Sequence, residues 1–333
     1  MMMLVGAGAV GTTLAAFVAA AGREPLQLYV RDKDRAAFEA TSMLRVERGE
    51  RTWTAPRPAL CTRLDLREVD YLLIAVKHPQ LDALIDNLPP LPARCTVIST
   101  LNGLSALRRL RERLPGVRVI PMTVMFNAQL LAPLRTELTT RAELYIGSDD
   151  RRLLRALAAP GVTVRASRGE AAAWGKLLIN LANAICALTH ATFEDLLKPG
   201  DLRAIYVAVL DEAIAVLRAT HTPFKLPMPV PYALYRHLLA GGTALPWHFA
   251  RRRNGLRDRT YPSMVADVEQ DKPTEAGELN GEIVRLAASH GLAAPCNATL
   301  VELVDAMRGT KPPAYWTAAT LRSRLLREER MTK

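Results

Sequence analysis

The stretch Met2-Met3-Leu4-Val5-Gly6-Ala7-Gly8-Ala9-Val10-Gly11 decides how this chain is read. Met2 to Val5 is a short apolar strand, and Thr12 to Ala21 continues as an apolar helix. The three glycines therefore fall between a strand and a helix. In such a unit the first glycine permits a tight turn, the second lets the backbone approach a pyrophosphate, and the third lets helix and strand pack closely. The phosphates then sit at the positive N-terminal end of the helix. Gly6, Ala7, Gly8, Ala9, Val10 and Gly11 are accordingly candidate cofactor-binding residues. The same region, Met1 to Gly22, lacks a charged side chain and shares the composition of a signal peptide or a short membrane span. No Lys or Arg precedes the apolar run, however, and glycines interrupt it. Leu26 to Val30 then follows as a second strand, so strand, turn and buried helix is the expected arrangement.

A chain of 333 residues is long enough for two domains of about 100–200 residues each. Hydrophobic residues make up 49% of it and aromatics only 5%, which favours a core of Ala, Leu and Val in helices and parallel strands. The net charge of +11 is carried largely by arginine, most densely at Arg251-Arg252-Arg253 with Arg257 and Arg259 beyond. That run has no interleaved aromatic platform for bases and no recognisable nucleic-acid motif, so neither nucleic acid nor membrane is an expected partner. The four cysteines, Cys61, Cys95, Cys186 and Cys296, are far apart and form no Cys-x-x-Cys pair, so no metal site is expected. Free thiols fit a reducing cytoplasm.

Strand and helix patterns alternate over residues 1–167, which predicts a doubly wound sheet. Strands are expected at Leu26–Val30, Tyr71–Val76, Val97–Thr100, Val117–Phe126, Leu144–Gly147 and Val162–Arg165. Helices are expected at Gln80–Asn87 and Leu104–Leu114. The second strand runs out at Arg31, with Lys33 and Arg35 close by, and a cation at that place suits the 2′-phosphate of NADP. Asp32 leaves NAD open, because a one-residue shift presents a carboxylate to a ribose hydroxyl. Lys77 and Asn102 follow the third and fourth strands, where ligands of open α/β sheets bind. Each also has a plainer reading, as a solvated lysine and as a turn-forming Asn-Gly.

From Arg168 the strand signals stop, and residues 168–333 are expected to form an all-helical domain. Glu170 to His190 reads as one long helix, nearly all apolar after Leu177 and broken by Lys176, Asn180 and Asn183. Spacings of four and three place these three on one face. A polar row on an apolar helix is the wall of a ligand cleft or a solvated stripe. Ser263-Met264 and Asp267 precede a second helix that starts at Pro273-Thr274 and runs to His290. Glu275 falls in its first turn, where a carboxylate serves the helix dipole as well as it serves catalysis. Thr222 to Pro231 holds four prolines and reads as a loop.

Together these residues resemble the ketopantoate reductase (2-dehydropantoate 2-reductase) family. The matching pieces are Gly6 to Gly11, Ala75-Val76-Lys77 with Gln80, and Asn102-Gly103. They continue with Trp174-Gly175-Lys176-Leu177 and Asn180, then Ser263-Met264 with Asp267, Thr274-Glu275 and Asn280-Gly281. The resemblance implies a Rossmann-type N-terminal domain and a helical C-terminal domain similar to that of 6-phosphogluconate dehydrogenase. It implies NADPH-dependent reduction of a 2-oxo acid, ketopantoate first, in pantothenate and coenzyme A biosynthesis. By the same resemblance Lys176 and Glu275 are catalytic, with Lys176 the general acid. Gly6 to Gly11, Arg31, Lys77, Gln80, Asn102 and the backbone at Ala128 hold the cofactor, and Lys176, Asn180, Asn183 and Ser263 meet the substrate. A homodimer is compatible with it. The match is looser at Ala184, at Thr260 and across Thr189 to Lys198, where the family favours asparagine. A different small oxo acid, or a non-catalytic NADP-binding sensor, stands as the alternative.

Overall fold

The computed structural model describes residues 1–228, 230–254 and 260–328. The chain divides into two compact units, Met1–Ala173 and Trp174–Lys333.

The first unit is built on an eight-stranded sheet. Its elements run β1 (Met2–Val5), α1 (Ala9–Ala21), β2 (Leu26–Tyr29), α2 (Arg35–Glu39), β3 (Met43–Arg48), β4 (Arg51–Pro56) and β5 (Ala59–Cys61). They continue with β6 (Tyr71–Ile74), α3 (His78–Asp86), β7 (Thr96–Ser99), α4 (Ser105–Arg113), β8 (Arg118–Val124), β9 (Ala128–Ala132) and β10 (Arg135–Leu138). β11 (Glu143–Ile146), α5 (Arg151–Leu157) and β12 (Thr163–Ala166) complete it. The strand order is β12-β11-β8-β7-β6-β1-β2-β5. All neighbours pair in parallel except β8 with β11. The order reverses at β1, between β2 and β6, which is the switch point where such sheets bind ligands.

A second, four-stranded sheet, β4-β3-β10-β9, has no counterpart in the expectations above. Its strands alternate: Leu44, Val46, Trp53 and Ala55 are buried, and their neighbours are mostly exposed. It covers the outer side of α1, which packs against β3, β4, β9 and β10 as well as β1 and β2. Phe17 meets Trp53 and Phe126 edge-on, at centroid distances of 5.4 and 5.8 Å. α1 is thus enclosed by two sheets, which is why a helix of this length carries no charge. The uncharged N-terminal region is strand, turn and core helix, as expected.

The second unit holds only helices among the described residues. They are α6 (Ala171–Asn180), α7 (Ala182–Thr189), α8 (Phe193–Leu197), α9 (Asp201–Ala219) and α10 (Tyr232–Ala240). α11 (Leu245–Asn254), α12 (Ser263–Glu269), α13 (Ala276–Ala288), α14 (Pro295–Ala306) and α15 (Ala318–Glu328) follow. The single helix expected over Glu170–His190 is two, interrupted at Leu181, although the Leu181 amide still donates to the Leu177 carbonyl at 3.0 Å. α7 lies at the centre, packed on α9, α12, α13 and α14, and Ala184 to Leu188 are completely buried. Among the described residues, Ala171–Thr189 is the one helical stretch long and apolar enough to cross a membrane, and 78% of it is buried inside the protein. Of the segments singled out in the sequence, Pro229, Arg257 and Arg259 lie outside the described residues, while Arg251 and Arg252 stand exposed on α11.

Candidate cofactor edge and lysine–glutamate site

Register builds the cofactor edge of the first unit. Val5 pairs with Tyr29 on one side and Ile74 on the other, and Ile74 pairs with Ser99. The segments that follow, Gly6 to Gly8, Val30-Arg31, Ala75 to Lys77 and Thr100 to Asn102, therefore all leave the sheet at one rung. The ladder extends one bond further at two places, with the Ala75 amide on the Val5 carbonyl at 2.8 Å and the Thr100 amide on the Ile74 carbonyl at 3.1 Å.

The glycine turn has little spare room. Gly6 has φ +108°, and a Cβ there would stand 2.5 Å from the carbonyl carbon of Ala75. A Cβ at Gly11 would stand 1.8 Å from the Gly6 carbonyl oxygen. These two glycines let α1 seat directly on the turn. Gly8 differs: it is exposed, and a Cβ would meet nothing within 4 Å. Gly8 is the N-cap of α1, with no side-chain cap and no acidic residue in the first turn. The helix thus presents free backbone N–H groups and the positive end of its dipole across an open surface, which fits a bound phosphate. This edge fits the diphosphate of a dinucleotide by the chemistry of its donors.

The flanking cations are less uniform. Arg31 is exposed at the end of β2, and its Nε donates to Asp34 Oδ2 at 2.5 Å. Lys77 is exposed as the N-cap of α3, and its amide donates to Gln80 Oε1 at 3.3 Å. Ala128 opens β9 in the second sheet, and no shared rung joins it to the other candidates. His78 escaped the sequence reading. It is buried, its Nε2 lies 2.9 Å from the Asn102 carbonyl oxygen, and its Nδ1 lies 3.2 Å from Nη2 of Arg109.

The second unit brings Lys176 and Glu275 together. Lys176 lies on α6, and burial pushes its ammonium down to about 8, while the Glu275 carboxylate pulls the other way. Glu275 is the N-cap of α13 and not a first-turn residue, and its carbonyl accepts from the amides of Glu278 and Leu279 at 3.1 and 3.0 Å. Asn180 ends α6 on the lysine's face, and Asn183, on α7, is 8% exposed. Ser263 is exposed at the start of α12, which packs on α7. Beside Lys176, a Cβ at Gly175 would stand 1.8 Å from the Lys225 carbonyl oxygen, so the proline-rich segment crosses α6 there.

α13 is fixed by a polar chain that the sequence did not announce. Asn280 donates to Asn297 Oδ1 at 3.0 Å, and Asn297 donates through Nδ2 to Glu212 Oε1 at 2.8 Å. The Glu212 carboxylate also accepts the amides of Cys296 and Asn297, both at the start of α14. Pro295 marks that helix start in the sequence, but the carboxylate arrives from α9, far away in the chain. Among the described residues no cluster of His, Cys, Asp and Glu could hold a metal ion.

Two family models match, described as "Ketopantoate reductase PanE/ApbA" over residues 2–151 and "Ketopantoate reductase PanE/ApbA C terminal" over residues 169–308. The chain is 30% identical over 308 residues to the 2-dehydropantoate 2-reductase of Mycobacterium tuberculosis, covering 91% of this chain and 96% of that one. Among solved structures, the PanE/ApbA family ketopantoate reductase of Ralstonia eutropha JMP134 is 28% identical, with a TM-score of 0.74 over 92% of this chain and 98% of that one. A D-mandelate dehydrogenase solved with NADH and anilino(oxo)acetate shares the fold, with 19% identity, a TM-score of 0.68, and 92% and 97% coverage. The chain belongs to the ketopantoate reductase family. It is a nicotinamide-linked oxidoreductase of the class that acts on a CH–OH group.

Proposed function

We propose that the protein reduces a 2-oxo acid to the 2-hydroxy acid with NADPH in the cytoplasm, and that 2-dehydropantoate is the substrate. The observation that carries the reading is the Lys176–Glu275 pair: a lysine ammonium brought to about 8 by burial and facing a carboxylate. Such an ammonium is mostly protonated at neutral pH yet gives up its proton readily, which suits a general acid. The bound cofactor would supply a hydride to the substrate's carbonyl carbon. Lys176 then does two things: it stabilises the negative charge growing on the carbonyl oxygen and delivers the proton that completes the hydroxyl. Glu275 holds the ammonium in its charged form and orients it. Asn180 and Asn183 offer amide groups to the substrate, and Ser263 offers a hydroxyl to its carboxylate.

On the cofactor side, the N-terminus of α1 takes the diphosphate, and Lys77, Gln80 and Asn102 hold the rest from the neighbouring strand ends, with the backbone at Ala128 contributing from the second sheet. Arg31 meets the 2′-phosphate after giving up Asp34, a pairing so exposed that its loss costs little. Four free cysteines suit the reducing compartment.

The test is the fall in NADPH absorbance with 2-dehydropantoate and a panel of other 2-oxo acids, for the wild type and Lys176→Ala. Turnover of 2-dehydropantoate that is lost in the variant is the expected result. Preference for another oxo acid would move the substrate and keep the mechanism. Cofactor binding with no turnover of any oxo acid would leave a sensor. Undiminished turnover by Lys176→Ala would remove the proposed acid.

A further inference from the structure

Resting on the reading of Lys77, Gln80 and Asn102 as cofactor ligands, the geometry points to a further role: His78 is the positioning residue that ties their two loops into one rigid cofactor edge. His78 is the first residue of α3, directly after Lys77, and is 6% exposed. A carbonyl oxygen only accepts, so the 2.9 Å contact with Asn102 places the ring proton on Nε2. Nδ1 is then a lone pair, which accepts from the Arg109 guanidinium at 3.2 Å. Both ring nitrogens are thus used by the neutral Nε2–H tautomer, and the ring has one orientation.

What it holds is the turn Asn102-Gly103. That turn requires a left-handed residue, with Gly103 at φ +72°. No strand bond reaches this far; the ladder ends with the Thr100 amide on the Ile74 carbonyl. The imidazole continues it by a side chain, joining the segment after β6 to the segment after β7. Arg109 is anchored from behind, its Nη1 donating to Asp82 Oδ2 at 3.0 Å.

The cluster is not built for stability alone. Arg109 Nε and Ser105 Oγ, four residues apart on one face of α4, are buried and find no hydrogen-bond partner among the described residues. Buried polar atoms left in this state cost stability, and an apolar filling between α3 and α4 would avoid that cost. The polar cluster is accounted for by the turn it orders.

The experiment measures NADPH affinity by fluorescence titration for the wild type and for Lys77→Ala, His78→Ala, His78→Gln, Asn102→Ala and the His78→Ala/Asn102→Ala double variant, with thermal midpoints alongside. His78→Ala is expected to weaken NADPH on the order of 10-fold, as loss of one buried hydrogen bond would. His78→Gln, which restores a donor near the Nε2 position, should recover most of that. In the double variant the Asn102→Ala loss should shrink to about 2-fold or less, since the residue is then already misplaced. The KM for NADPH should rise in parallel, with kcat at saturating cofactor little changed. Losses that multiply independently, or that follow the thermal midpoint with no recovery in His78→Gln, would overturn the positioning role. If the wild type binds NADPH, and Lys77→Ala and Asn102→Ala weaken it while His78→Ala does not, this inference fails alone. A wild type that does not bind NADPH would overturn the cofactor reading itself, and this inference with it.

Discussion

Replacing Lys176 by methionine removes one charge from the helical unit while keeping most of the length of the side chain, and the outcome can be worked out from its surroundings. Burial lowers the ammonium from 10.5 to about 8. At about 1.4 kcal/mol per pH unit, that interval corresponds to a net cost of about 3 kcal/mol at pH 7, burial less the Glu275 attraction. The side chain keeps some solvent contact, which screens this cost, so the net gain for Lys176→Met is about 2 kcal/mol. The pH dependence has a definite sign. In the unfolded chain the lysine holds its proton up to about 10.5, whereas the folded protein releases it near 8. Between those values the unfolded state binds more protons, so wild-type stability rises with pH and the advantage of the variant closes. Urea denaturation at intervals from pH 6 to 10.5 reads this directly. The same variant should lose about 100-fold or more in the rate of reduction. A variant less stable than wild type at pH 7, or an advantage that does not change with pH, would refute the desolvated ammonium.

Other outcomes follow from the same geometry. The wild-type rate of reduction should fall above about pH 8 as the Lys176 ammonium is lost, and Glu275→Gln should move that fall to lower pH in a pH–rate profile. Gly8→Ala should leave the thermal midpoint nearly unchanged, because its Cβ meets nothing within 4 Å, yet weaken NADPH in a binding titration by standing where the phosphates approach. Gly11→Ala, with its Cβ 1.8 Å from a carbonyl oxygen, should lower stability by about 2 kcal/mol or more and lose cofactor binding as well. Arg31→Ala should weaken NADPH about 10-fold or more while leaving NADH nearly unaffected, since a hydrogen bond to a charged group contributes about 1.5–3 kcal/mol; equal losses would show that Arg31 does not meet the 2′-phosphate.

The features legible in the sequence are those written by local rules. Gly6, Gly8 and Gly11 are demanded by contacts within a few residues, so strand, turn and helix follow from them directly. The lysine and asparagines on α6 and α7 were visible as polar interruptions of an apolar run. The break at Leu181 was not, because the hydrogen-bond ladder passes through it and the composition does not change. The four-stranded sheet was missed for a different reason. Leu44, Val46, Trp53 and Ala55 do alternate with polar residues, which is the pattern of a half-buried strand. Half of β3 is Arg and Glu, however, and it finds its parallel partner β10 far along the chain. The support of α13 by Glu212 and Asn297, and of Asn102 by His78, rests on contacts between distant segments. Nothing in one residue's neighbourhood marks it as the partner of another.

The common rung on which β1, β2, β6 and β7 end has a consequence for how readily this scaffold can be altered. Each candidate ligand-binding segment begins where a strand stops, and each strand is held by its neighbours' backbones whatever side chains come after. The segment from Arg31 to Arg35 can therefore be exchanged as a cassette: a transplanted stretch inherits its starting position from the ladder. On the proposed reading of Arg31 as the 2′-phosphate ligand, exchanging this handful of consecutive residues is expected to change cofactor preference while leaving the lysine chemistry in place.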